Sequence, residues 1–242
     1  MSSIFTVREV TESDLGALAA LEQQLWKGLG TPILCYDELK GWLDTQSPFF
    51  LLAARDGQLG GYYYAQLNNF DLEKIEEYTG LDKLTGKGYT NHRYDAAADS
   101  VYGINASSIL RGAGATLNRE VHKRIVSMRK LYFFGYSRLA GFDSYLQGLE
   151  PGERTYAEER LDSVVLWYAH ECSALCGAKD WGAWCPKKPI LALPPVLAPD
   201  PILAYHVKGS GGCLGLLRVV SHFMTDPQSR NYSAFLACLR RP

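Results

Sequence analysis

The sequence predicts an α/β (α+β) protein with a mixed central sheet, flanking helices and a C-terminal extension. Three observations carry this expectation. Strand-like and helix-like runs succeed one another from residue 4 to about residue 145. A glycine-rich turn, Arg111-Gly112-Ala113-Gly114-Ala115-Thr116-Leu117, joins a strand-like run (100–106) to a helix-like run (116–128). The chain has 242 residues, 47% of them hydrophobic, which is enough to pack one domain or one domain with an extension.

The elements follow in order. Phe5 to Val10 alternates as a short strand, and Thr11-Glu12-Ser13-Asp14 supplies N-cap oxygens and early negative charge for a helix. Leu15, Leu18, Leu21 and Leu25 form that helix's apolar face. Pro32 interrupts, and Tyr36 to Leu43 reads as a second helix. Phe49 to Arg55 is a strand, Asp56-Gly57 a hairpin turn, and Gly60 to Leu67 the return strand. Asn68 to Asp99 is a polar insertion, with Gly86, Gly88 and a charged helix-like piece (71–78), expected as a hairpin over the active face. After the glycine turn and its helix, Leu131 to Gly135 is the next strand, and Ser137 to Phe142 leads into another helix. Glu153 to Leu175 reads as one long helix, and a coil rich in Trp and Pro follows it to Pro199. Tryptophan and leucine are interleaved there, which predicts a packed covering segment instead of a free linker. Asp200 to His206 is read as opening the last strands, with Cys213–Val220 and Tyr232–Arg240 as a closing pair. The expected division is 1–150 as a core and 151–242 as a C-terminal part that covers and closes the sheet.

A glycine turn that opens a helix aims unpaired backbone N–H groups at one point, and the helix dipole adds partial positive charge there. That makes residues 111–117 a seat for phosphate. It is not a P-loop, because no Gly-Lys-Ser/Thr follows. It is not a dinucleotide fingerprint either, since Leu117 occupies the place of the third glycine.

Arg111, Gly114 and Thr116 fall on the three marked positions of the pyrophosphate loop of the GNAT acyltransferases, which the pattern resembles. Thr116 departs from the usual Gly or Ala. The resemblance extends to the order of elements over residues 4–145. It implies a GNAT fold and an acyl-CoA-dependent N-acyltransferase, with acetyl-CoA or another acyl-CoA as co-substrate and direct transfer to an amine. It implies that the amides of Gly112, Ala113, Gly114, Ala115, Thr116 and Leu117, with the charge of Arg111, hold the CoA diphosphate. It also implies that the strand bearing Ile104 and Ala106 polarises the thioester through a backbone N–H. The expected partners are acyl-CoA and a small-molecule or peptide amine, with an acyl carrier protein as the alternative acceptor.

A weaker likeness of the C-terminal part is to larger members, among them the GNAT-like loading domains of polyketide synthases. It implies a malonyl decarboxylase or S-acyltransferase using a Thr and a His. His206 falls on the His position, and Ser137 is the candidate for the Thr site and would be a departure. A third reading is a non-catalytic acyl-CoA-binding module.

For proton transfer, Tyr136 and Tyr145 bracket the region where the resemblance places a tyrosine acid, although the spacing does not match cleanly. His206, Glu22 or a water relay are the candidate bases. With 15 tyrosines in the chain, the plain alternative for each is a packed ring. His206 on an apolar strand is as readily a satisfied core histidine, and His92 and His122 read as solvated surface residues. Tyr62–Tyr64 and Tyr132–Phe134 are read mainly as core, with alternate members as candidates to line an acyl tunnel.

The charge balance of 25 basic and 26 acidic side chains, with no long basic run, gives no support for nucleic-acid binding. No signal segment or 18-residue apolar run is present, so a cytoplasmic protein with no membrane partner is expected. Cys35, Cys172, Cys176, Cys185, Cys213 and Cys238 form no CxxC pair and read as reduced thiols. His170, Cys172, Cys176 and Cys185 match no standard zinc spacing, and no metal is expected.

Overall fold

The computed structural model describes residues 4–27, 34–69, 71, 73–74, 94–222 and 224–239. Within them run β1 (Thr6–Glu9), α1 (Leu15–Trp26), α2 (Tyr36–Asp44), β2 (Leu51–Arg55), β3 (Gln58–Leu67), β4 (Ser100–Ser108) and α3 (Ala113–Ser127). They are followed by β5 (Tyr132–Arg138), α4 (Phe142–Gln147), α5 (Pro151–Glu158), α6 (Leu161–Cys176), α7 (Pro201–Gly209), β6 (Gly215–Ser221) and β7 (Tyr232–Leu239). The strands form a mixed seven-stranded sheet in the order β1-β2-β3-β4-β5-β7-β6. The chain divides into two compact units, residues 1–134 with 239–242, and residues 135–238. Pro32, Gly86, Gly88, His92 and most of the expected insertion lie outside the described residues.

In the first unit, Arg8 clamps Asp14 through two contacts of 2.7 Å, and Thr11 closes a capping box with the same carboxylate. The Arg8 hydrogen bond pulls Asp14 down to about 2 despite the opposing effect of partial burial. The apolar stripe then buries Leu15, Leu18 and Leu21 against Leu39 and Trp42 of α2 and Tyr62 and Tyr64 of β3. Trp42 stacks on Tyr64 at 4.3 Å. The hairpin β2–β3 turns at Asp56 (φ 53°) and Gly57 (φ 77°), both left-handed, as a two-residue turn between right-twisted strands requires. Tyr62, Tyr63 and Tyr64 are all buried, and Tyr102 stacks on Phe134 at 5.1 Å. These rings fill the core.

In the second unit the expected single helix over 153–175 is two helices, α5 and α6. Arg160 breaks them with φ −127° and ψ 31°, without the Gly or Pro that marks such a break in sequence. The Trp/Pro coil is anchored in part: Trp181 Nε1 donates to the Ala237 carbonyl at 2.9 Å, and Val196 is buried. Ile190 and Leu197, however, are almost wholly exposed, so packing of the segment is incomplete. Asp200 to His206 is not part of a strand. Asp200 accepts from the amides of Ile202 and Leu203, and Pro201 sits at the first helical position, so the segment starts α7.

Candidate functional site

The glycine turn stands where β4 hands the chain to α3 in the first unit. The amides of Ile109 and Leu110 both donate to the Gly60 carbonyl, at 2.9 and 3.2 Å, which ties the turn to β3. A Cβ at Gly60 would lie 3.0 Å from Ala113 Cβ and 2.9 Å from Phe5, so the missing side chain lets the start of α3 rest on the sheet. Gly112 is the N-cap, left-handed at φ 93°, and it caps without a side chain.

The seven residues of the turn divide in two. Ala113 donates its N–H to Leu110 O and Thr116 donates its own to Gly112 O, both at 3.0 Å. Ala113, Gly114 and Leu117 face inward and are buried. Arg111, Gly112 and Ala115 are exposed. The Thr116 hydroxyl also bonds to Gly112 O at 2.9 Å, so this departure from Gly or Ala spends its polar group inside the turn and obstructs nothing. A helix of fifteen residues thus begins with a first turn that has no side-chain cap and is exposed at Gly112 and Ala115, the arrangement that suits an anion.

β4 has an unusual burial pattern for a strand inside a sheet. Ser100 to Tyr102 are buried, whereas Gly103, Ile104, Asn105 and Ala106 are only half-buried. On one side of this stretch lies a polar cluster. Ser107 Oγ donates to Glu22 Oε1 at 2.5 Å and receives Trp26 Nε1 at 3.3 Å. Asn105 Nδ2 donates to the Tyr62 hydroxyl at 2.8 Å and lies 3.4 Å from Glu22 Oε1. Burial and then the Glu22 charge push the Tyr62 phenol well above its ordinary value, so it is neutral and a donor.

The remaining candidates are in the second unit. Tyr136 is half-buried and stacks on Phe235 at 4.7 Å. Tyr145 donates its hydroxyl to the Pro194 carbonyl at 2.9 Å, and burial, followed by Glu153 and Glu171, pushes it up to about 12. It therefore holds the coil against α4 and has no proton to spare. Ser137 is fully buried. His206 is half-buried on α7, edge-on to Tyr205 at 4.8 Å, and sits on a helix where the sequence suggested a strand. His122 is not a solvated surface residue: it is half-buried on α3, edge-on to Phe133 at 4.9 Å.

Burial pushes the Cys172 thiol up to about 12 and the Cys185 thiol to about 11, and lowers His170 beside the latter. Cys185 and His170, 3.7 Å apart, are thus a neutral pair and not an activated nucleophile. Among the described residues no group of three or more His, Cys, Asp or Glu is placed to hold a metal ion. No described helix is long and apolar enough to cross a membrane.

Sequence reasoning named Glu22 only as one base among several and missed Asn105, Ser107 and Trp26. The available signal was a carboxylate at position 22, flush with the apolar stripe of Leu15, Leu18, Leu21 and Leu25.

No protein-family model and no curated protein matches the chain. Solved structures do. The GphF GNAT-like decarboxylase in complex with isobutyryl-CoA is 17% identical, with a TM-score of 0.64 over 98% of this chain and 100% of that one. The loading GNATL domain of CurA from Lyngbya majuscula is 11% identical, with a TM-score of 0.65 over 98% of each chain. The ribosomal-protein-alanine N-acetyltransferase from Brucella melitensis is 12% identical, with a TM-score of 0.51 over 97% of this chain and 99% of that one. At these identities the likeness shows the fold alone, and it is the GNAT fold, as the sequence resemblance implied.

Proposed function

We propose that the protein is an acyl-CoA-dependent acyltransferase that moves an acyl group from a CoA thioester to an amine by direct transfer. The single observation behind this is the first turn of α3, which has no side-chain cap and is exposed at Gly112 and Ala115, immediately after a strand whose middle is half-buried. The first contributes amides and dipole to a diphosphate, and the second offers a half-exposed stretch of strand along which the thioester arm can lie, with backbone N–H groups near Ile104 and Ala106 to polarise the carbonyl. Of the seven turn residues, Gly112 and Ala115 bear the phosphate contact, with Arg111 as the nearby charge. Two of the similar structures are described as a complex with isobutyryl-CoA and as a loading domain, and the first accords with an acyl-CoA donor. For proton transfer in the second unit, Tyr136 and His206 are the better candidates, because Tyr145 is committed to Pro194. The protonated thiols of buried Cys172 and half-buried Cys185 favour direct transfer over a covalent enzyme intermediate.

A second reading, malonyl-CoA decarboxylation with S-transfer to a carrier protein, is favoured by the near-complete coverage of the GphF and CurA domains and by His206 on α7. Incubation of purified protein with acetyl-, malonyl- and long-chain CoA, read by mass spectrometry, separates the two. The acyltransferase releases free CoA only when an amine is supplied. Conversion of malonyl-CoA to acetyl-CoA with no acceptor present would establish the second reading instead.

A further inference from the structure

The second unit carries a cavity of about 240 Å³ that is lined by no residue used in the acyl-CoA reading. Val165 and Leu166 of α6 and Val219 of β6 give it aliphatic walls. Pro186 and Ser221 also line it, and both are exposed, so it opens to solvent. The wall at Pro186 is held in place. His170 Nε2 lies 2.9 Å from the Pro186 carbonyl, which can only accept, and Lys188 pairs with Glu171, so the coil is tied to α6 at two points. Pockets for drug-sized ligands run to about 300–1,000 Å³. This one is smaller and suits a metabolite of the size of one amino acid.

Two opposite charges line the cavity: Asp162 from α6 and Arg218 from β6, elements that pack on each other. Among the described residues no ion pair joins them. Asp162 Oδ1 accepts the Tyr232 hydroxyl at 2.5 Å. Burial, followed by the bond to Asp162, pushes that phenol above its ordinary value, so it is neutral and a donor. This bond orients the carboxylate and leaves Oδ2 able to accept. Arg218 is half-buried, and its planar fork of five N–H donors can take a carboxylate alongside other partners. A simple anion would be repelled by Asp162, and a simple cation by Arg218. A molecule with both charges close together and an apolar tail matches all the walls.

We propose that this cavity is a binding site for a free aliphatic α-amino acid, with its ammonium on Asp162, its carboxylate on Arg218 and its side chain among Val165, Leu166 and Val219. The site is additional to the acyl-CoA reading and does not depend on it. A peptide terminus brings only one of the two charges, which distinguishes it from the free amino acid.

The test is titration calorimetry on the full chain without CoA, using L-leucine as the probe. Saturable one-to-one binding is expected. 4-Methylpentanoic acid lacks the ammonium, 3-methylbutylamine lacks the carboxylate and glycine lacks the tail; each is expected to bind at least tenfold more weakly. Asp162→Asn, which keeps an acceptor for Tyr232, and Arg218→Gln are each expected to weaken L-leucine at least tenfold. Should either variant melt early by circular dichroism, Ser221→Trp carries the test, because Ser221 is exposed and a large ring there closes the mouth without disturbing packed residues. Ser221→Trp is expected to abolish binding. No saturable binding of L-leucine by the unaltered protein would overturn the proposal. Equal affinity for an analogue with one charge would overturn it too, and would point to a peptide end or a simple acid or amine. Undiminished binding in Ser221→Trp would place the ligand elsewhere and likewise overturn it.

Discussion

Ala115→Asp is expected to weaken CoA binding by roughly a hundredfold while leaving the protein as stable as before or slightly more so. The two effects have opposite signs because they arise from the same electrostatics. Ala115 is exposed in the first turn of α3, which has no acidic residue and no side-chain cap. A carboxylate there complements the helix dipole and contributes about 0.3–1 kcal/mol of stability. The same carboxylate repels a diphosphate seated on the neighbouring amides. At about 4 Å and the effective dielectric of a protein surface, like charges repel by up to about 4 kcal/mol, of which about 3 kcal/mol corresponds to the expected loss. Calorimetric titration with CoA and a thermal melt on one preparation check both signs. Gly114 is a less suitable position, since it is buried against the sheet and a charge placed there would perturb the fold together with the site.

Asp226→Ala is expected to cost about 3–5 kcal/mol of stability, the largest effect of any single polar substitution considered. Asp226 is 1% exposed and receives two hydrogen bonds from Arg138, at 2.6 and 2.7 Å, and one from Ser229 at 2.7 Å. Arg138 is itself 14% exposed and donates besides to Gln228 Oε1 at 3.1 Å, so removal of the carboxylate takes the anion away from a guanidinium with little access to water. Burial alone would raise this carboxyl, but the Arg138 and Ser229 hydrogen bonds outweigh it and hold Asp226 below its ordinary value. A depressed carboxyl contributes stability that is fully present above the unfolded value of about 3.9 and is lost as the pH falls through the lower folded value. Denaturant titrations from pH 6 downward should therefore show the unaltered protein losing its advantage over the Ala variant below about pH 4. Asp14, also depressed, is common to both proteins and cancels in the difference.

The first unit was legible wherever a local signal and the global fold agree. The Thr11–Asp14 cap, the leucine stripe of α1, the Asp56-Gly57 turn and the Gly112 turn are each short-range features that fix their own geometry. The second unit was less legible because its signals compete. Asp200-Pro201 is a helix start, but the apolar run Ile202-Leu203-Ala204 reads equally as a strand, and the cap decided the outcome. The break at Arg160 leaves no trace in composition. The site divides in the same way. The phosphate turn is a contiguous motif, whereas Glu22, Tyr62, Asn105 and Ser107 come from three elements and meet only once α1 lies on β3 and β4. Asn105 and Ser107 carry no sequence mark at all, because an Asn or a Ser on a strand acquires meaning only from what it faces. His122 shows the converse: a polar residue that looks like surface is half-buried, because it sits beside the buried Val121 and Asn118 on the inner side of α3.

The central claim is that the first turn of α3 grips a diphosphate. Paired calorimetric titrations of the unaltered protein with CoA and with pantetheine, which carries the same thiol arm without the diphosphate, test it most directly. The account predicts that pantetheine binds at least about a hundredfold more weakly than CoA, a difference of about 2.8 kcal/mol. Equal affinity for the two would show that the turn contributes nothing to ligand binding and would contradict the account.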